Sequence, residues 1–263
     1  MTLLVTSLET VKSVGVGVLI LKSFRKLKCR FRWQLCLSLF SSFVATSAIA
    51  SFSEFAEKHI TQPYRDGFDT HGLLIAGGGL LGVAATQTQD YNWRADWANY
   101  NRMSHQTARV GDYLGMGLMA AVVGGAQLLW DNENAIHHIE ALAHTFVVTS
   151  ILKQISNRAR PASSNHHSMP SGHTSIVFAT ASHLAYAYGW KAAIPAYLAA
   201  TFVAASRWSD DAHWLSDTVG GAGVGIFFGR ATYLDAEHDD SPEVWLHWIN
   251  QGPFVSVKFP TPF

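Results

Sequence analysis

The sequence predicts an all-α domain of about six core helices, on three observations. Six apolar runs of 12 to 18 residues alternate with polar turns, Ala and Leu dominate the runs, and the period-two alternation of strands is sparse. In chain order the runs are 72–86, 113–130, 135–152, 174–190, 192–206 and 218–229. The third is interrupted by Glu140 and by the paired His137 and His138. Between the first two lies a polar segment carrying Tyr91, Trp93, Trp97 and Tyr100. Ordinary packing is its preferred reading, ahead of a membrane-interface belt or a lid over a lipid tail. Only the tail, PFVSVKFP, reads as a short strand.

Composition narrows the class. The chain has 263 residues, 48% hydrophobic and 14% charged, with zero formal net charge. That length suits one domain with an appendage and is ample for a core. Zero net charge, with no basic block beyond the N-terminus, argues against nucleic acid as a partner. The two cysteines, Cys29 and Cys36, both near the N-terminus, provide neither a disulfide framework nor zinc-ligand spacing.

The N-terminus has the layout of an export signal. Six positive charges fall between Lys22 and Arg32, followed by an uncharged run over 33–53 with small residues Ala48 and Ala50 in an A-x-A pattern. Left uncleaved, the same run is long enough to anchor in a bilayer. The expected division is a leader over 1–50, as signal peptide or signal anchor, and one domain over 51–263.

The six runs themselves argue weakly for spans. Most fall below the roughly 20 apolar residues a span needs. If the loop at 160–175 faces outward, the turn at 131–134 and the tail should lie inside, where Lys and Arg are enriched, yet both are acidic. The expectation is therefore a compact helical domain, soluble or resting on the membrane, although Gly- and Ala-rich helices of this kind also pack well in bilayers.

Three polar clusters at helix ends point to chemistry. KQISNRARP places Lys153, Arg158 and Arg160 just past the third run, and PSGHTS opens the fourth with Ser171, Gly172 and His173. SRWSDDAHWLSD closes one helix with Arg207 and opens another with His213 and Asp217. Lys153 offers a point charge, and Arg160 and Arg207 offer planar forks that match phosphate oxygens. Ser171 and Gly172 stand at a helix N-terminus, where free N–H groups and the macrodipole favour an anion. His213 and Asp217, four apart, share a helix face. The carboxylate can hold one imidazole nitrogen protonated and leave the other free to attack. His173 suits protonation of a leaving group.

The spacing Lys153, six residues, Arg160-Pro161, then Pro170-Ser171-Gly172-His173, then Ser206-Arg207, five residues, His213, three residues, Asp217 resembles the three-part signature of the type 2 phosphatidic acid phosphatase family. That family also includes bacterial acid phosphatases and vanadium haloperoxidases. The resemblance implies the helical fold of that family and a metal-independent phosphatase with no cofactor. His213 would be the nucleophile oriented by Asp217, His173 the acid, and Lys153, Arg160, Ser171, Gly172 and Arg207 the phosphate holders. It implies a phosphorylated substrate, a lipid ahead of a water-soluble ester, and a bacterial envelope location with the site facing the periplasm and a membrane surface or bilayer as partner. A soluble periplasmic acid phosphatase is the alternative, a vanadium-dependent haloperoxidase a more distant one, and a catalytically dead scaffold is disfavoured by the intact motif set. Oligomeric state stays open. Near the site, His166 and His167 read as a solvated loop and Arg158 as surface. Asp210 and Asp211 could repel anions or position Arg207.

Overall fold

The computed structural model describes residues 52–53, 55–100, 102–234, 243–249 and 252–258, so the leader expected over 1–50 lies outside the described residues. Two compact units divide the chain, Met1–Glu57 and Lys58–Phe263, and the second holds the helical body. Its elements run α1 (Gln62–Gly67), α2 (Thr70–Gln87), α3 (Asp90–Tyr100), α4 (His105–Tyr113), a π segment (Leu114–Leu118), α5 (Met119–Trp130), α6 (Asn132–Ser156), α7 (Gly172–Tyr188), α8 (Trp190–Ser209), α9 (Leu215–Ala231), then β1 (Glu243–Ile249) and β2 (Gly252–Lys258).

The six apolar runs are helical, in order α2, the π segment with α5, α6, α7, α8 and α9. The ends are set by local chemistry. Asp69 caps α2 by accepting the Gly72 N–H at 2.7 Å, and Arg230 grips the same carboxylate at 2.9 and 2.6 Å, joining the end of α9 to the start of α2. Asp131 accepts from Asn134 N at 3.3 Å to open α6, and Asn157 closes it in the left-handed region at φ 42°. The strand expected in the tail is β2, antiparallel to β1 from Glu243↔Lys258 to Ile249↔Gly252.

Helix α3 is an addition to the predicted set. Trp93 and Trp97 each meet the ring of Trp208 at 5.3 Å, so tertiary packing of aromatic residues sustains a helix that apolar periodicity does not signal.

Two apolar clusters hold the body together. Val177, Ala181, Ala196, Ala200 and Val203 fill the seam between α7 and α8, and Phe227, Phe228 and Ala231 of α9 pack against Tyr64 and Ile75. Closest of all is the approach of α9 to α7. A Cβ at Gly221, Gly225 or Gly229 would lie 2.6, 2.3 or 2.5 Å from the carbonyl oxygens of Ser171, Ser175 or Ala179. Only glycine at this four-residue interval admits the neighbouring backbone. The contact sets the N-termini of the two helices side by side, and Ser171 N–H donates to Asp217 O at 2.9 Å. Gly225→Ala is therefore expected to destabilise the fold by about 1–3 kcal/mol. Gly77→Ala, whose Cβ would meet nothing within 4 Å, should be neutral or stabilising by about 0.5–1 kcal/mol. Thermal melts of the two variants check this, and equal midpoints would refute the close packing.

Two helical stretches, unlike the other runs, reach the length and hydropathy of a membrane span. The stretch His105–Trp130, kinked at Gly117 (φ 116°), has 26 residues and the helix Asn132–Ser156 has 25, and both are long and apolar enough to cross a membrane. Their outer faces are open and apolar, with Leu129 84%, Phe146 66% and Ile155 74% exposed. The apolar letters alone understate the length because both helices continue through polar turns. The polar residues that break the third run are held by partners: His138 meets Gln127 Oε1 at 2.8 Å and Thr180 Oγ1 at 3.0 Å, and Glu140 pairs with His59.

Candidate active site

The three motif clusters converge at the end of the bundle where α6 finishes and α7 and α9 begin. His213 lies in the turn before α9 and is 4% exposed. Its Nδ1 is 3.5 Å from Asp217 Oδ2, longer than a normal hydrogen bond. Asp217 is fully buried and saturated. Its Oδ2 accepts from Trp214 N at 2.9 Å and Ser168 Oγ at 2.5 Å, and its Oδ1 accepts from Arg158 Nη1 at 2.7 Å. The Trp214 bond also closes the first turn of α9, so one carboxylate both caps the helix and faces the histidine.

Three cations surround His213 and His173. Lys153 Nζ donates to His167 O at 2.9 Å, which uses one of its three N–H groups, and its stem passes Gly172, where a Cβ would sit 3.8 Å from Lys153 Cε. Arg160 makes only a long contact, Nη1 to Ala212 O at 3.5 Å, and its buried Nε has no hydrogen-bond partner among the described residues. Arg207 is 4% exposed and held on all sides. It donates to Asp112, to Asp210 Oδ2 at 2.9 Å and to Ser206 Oγ at 3.0 Å.

Ser171 is fully buried, and its hydroxyl accepts from Thr174 Oγ1 at 3.1 Å. Contrary to the sequence expectation, its own N–H is taken by Asp217 O. The N–H groups open to an anion at this terminus are those of the first helical turn, starting at Gly172, which have no partner within the helix.

Electrostatics follow from this crowding. Burial pushes the His213 imidazole below its ordinary range, the Asp217 carboxylate opposes this, and Lys153 and Arg160 add to it. Burial disfavours charge on Asp217, but the nearby His213 ring, the Ser168 hydroxyl, the Arg158 charge and the Trp214 N–H outweigh it, so its carboxyl titrates below the usual range. His173 is pushed down to about 4, by burial first and then by Arg207, with Asp112 opposing. The site gathers positive charge around two neutral imidazoles, which suits a multiply charged oxyanion.

The structure brings together every residue of the expected set and corrects its surroundings. Arg158 is not a surface residue, since its guanidinium lies against Asp217 and Asp90. Asp210 holds Arg207, whereas Asp211 pairs with Arg94 at 2.7 Å. His166 and His167 are exposed, as expected of a solvated loop. Sequence reading missed Asp112 of α4, which contacts Arg207 and lies 3.2 Å from His173 Nε2. It also missed Asp90 at the start of α3. Both lie far upstream of the motifs, and no spacing rule connects them.

Known proteins resemble the chain. A lipid A 1-phosphatase of Porphyromonas gingivalis is 38% identical over 79 residues, covering 29% of this chain and 18% of that protein's length. A PAP2-type phosphatidylglycerolphosphate phosphatase from Bacillus subtilis superposes with a TM-score of 0.50 at 18% identity, over 61% of this chain and 92% of that one. LpxE of Aquifex aeolicus gives 0.46 at 23% identity, over 50% and 88%. The likeness to the Bacillus protein is one of fold. Residues 134–239, which hold all three motifs, match the model of the PAP2 superfamily, the family that the motifs resemble.

Proposed function

We propose that this chain is a phosphatase that hydrolyses a lipid phosphate ester or diphosphate through a phosphohistidine intermediate. His213 attacks phosphorus and forms an N–P bond as the bond to the leaving oxygen breaks. That oxygen takes a proton from His173, and water then cleaves the phosphohistidine and returns phosphate. Asp217 fixes the His213 ring. Lys153, Arg160, Arg207 and the α7 N-terminus, with Ser171 and Gly172, hold the phosphoryl oxygens as charge redistributes. His173, held at about 4 chiefly by burial and then by Arg207, is neutral at pH 7. A bound phosphate dianion offsets the charges of Arg207 and Arg160, which raises the imidazole pKa and favours the protonated form that donates.

The observation that carries the lipid reading is an apolar cavity of about 420 Å³ between α2, α6 and α9. Its lining includes Leu152 and Pro170, next in sequence to Lys153 and Ser171, together with Met169, Tyr64, Phe68 and Phe227. A chain seated there would leave its phosphate at the cationic cluster. The open apolar faces of the two long helices support a membrane setting, and we place the site at the periplasmic side of the envelope.

A series of n-alkyl phosphates of increasing length, run beside an aryl phosphate without added metal, tests this. Each further buried methylene is worth about 0.8 kcal/mol, so kcat/KM should climb about fourfold per carbon until the cavity is full. A flat series, with the aryl ester turned over as well as the longest chain, would instead indicate a broad-specificity acid phosphatase.

A further inference from the structure

Arg158 is not one of the defining positions of the three motifs, yet its side chain makes a dense set of contacts behind the site. Nη1 donates to Asp217 Oδ1 at 2.7 Å and to Ser216 Oγ at 2.6 Å, while Nη2 donates to Asp90 Oδ2 at 2.5 Å. Asp90 is 1% exposed. It in turn accepts from Ser216 N at 2.9 Å and Ser216 Oγ at 2.7 Å, so it grips the first turn of α9 directly. The guanidinium lies 5.6 Å from the Trp214 ring centre, and the indole N–H donates to Ala159 O at 2.9 Å. A planar fork spanning two buried carboxylates, faced by an indole, is a geometry that a lysine cannot reproduce.

We propose that Arg158, held in place by Asp90, is a positioning residue for His213, acting through Asp217. The inference rests on His213 being the nucleophile. Ser168 and the Trp214 N–H occupy Oδ2 of Asp217, and Arg158 occupies Oδ1, so the carboxylate has one orientation and the edge it turns to His213 is fixed. The three side chains form a buried row of charges, minus, plus, minus, one end of which is the partner of the nucleophile. The row also sets the field at His213, which is faced by Asp217 from α9, Lys153 from α6, Arg160 from the intervening loop and His173 from α7. Arg158 opposes a proton on His213 and Asp90 favours one, so the two side chains act in opposite directions on the same group.

That opposition separates this role from a merely structural one. The pH profile of kcat/KM should be compared for wild type, Arg158→Gln, Arg158→Lys and Asp90→Asn in the full chain, with one alkyl phosphate whose own ionisation is common to all. His213 must be neutral to attack, so its protonation sets an acid limb. Arg158→Gln should move that limb up by about one pH unit and lower kcat up to about 100-fold through misplacement of the imidazole. Asp90→Asn should move the limb down. Arg158→Lys, which keeps the charge but not the fork, should leave the limb in place and still lose rate. Should Arg158→Gln fail to fold, the Asp90→Asn and Arg158→Lys profiles decide the matter. Activity losses with an unmoved limb in Asp90→Asn, or shifts of the same sign in both charge variants, would overturn the inference. Full activity in a His213→Ala control would overturn the underlying assignment of the nucleophile instead.

Discussion

His213→Ala is expected to lower phosphate release by about 10⁴-fold or more, because removing a nucleophile removes the covalent route itself. The turn before α9 offers no substitute. The ring is enclosed, with Asp217 at 3.5 Å, and its pKa lies below the ordinary histidine range because burial, Lys153 and Arg160 outweigh the carboxylate. Depression of that pKa has a definite sign for activity. Neutral imidazole, the attacking form, persists as the pH falls through the ordinary value of about 6.5, so turnover should hold below that point and fail only as the lowered pKa is crossed. The check is twofold. Phosphate release from an alkyl phosphate should collapse in the variant, and acid-labile, base-stable phosphate trapped on the wild-type protein should vanish. Trapped phosphate that survives in His213→Ala would place the nucleophile elsewhere.

The layout of the candidate site was largely legible in the sequence, and the reason is physical. It is built from helix ends, and helix ends are local: Lys153 to Arg160 closes one, Ser171 to His173 opens the next, and His213 to Asp217 spans a single turn. Residue type and spacing therefore carry the geometry. The six apolar runs were equally readable, since each is a stretch of small and apolar residues long enough for a helix. Asp112 and Asp90 could not be read in this way. They reach the site across 95 and 126 residues of chain, from helices whose sequences look like polar connectors. Arg158 shows the same limit at short range, because whether an arginine two residues before Arg160 faces solvent or a buried carboxylate depends on how α9 docks. Two helices run longer than their apolar letters suggest, for a related reason. Glu140 and His138 look disqualifying as letters, but His59, Gln127 and Thr180 satisfy them inside the fold.

Arg207→Ala is expected to cost more than the 10²- to 10³-fold typical of one lost oxyanion donor, because this arginine has a second task. Its guanidinium binds Asp112 and Asp210 together, and Asp112 stands 3.2 Å from the His173 ring. Without it, two carboxylates face the phosphate pocket uncompensated, and an incoming dianion meets repulsion where it should meet a fork. The loss should therefore appear in KM as well as in kcat. Asp112 and Asp210 are partly exposed, 35% and 27%, so water can solvate them and the variant should still fold. Arg207→Lys keeps the charge but cannot bridge both carboxylates and a phosphate oxygen, and should fall between wild type and Arg207→Ala. The decisive comparison is the double variant Arg207→Ala, Asp112→Asn. If repulsion from the freed carboxylate adds to the lost donor, removing that charge should return part of the KM, giving a non-additive cycle. Additive losses would mean that Asp112 serves only to place Arg207, and that the guanidinium acts on phosphate alone.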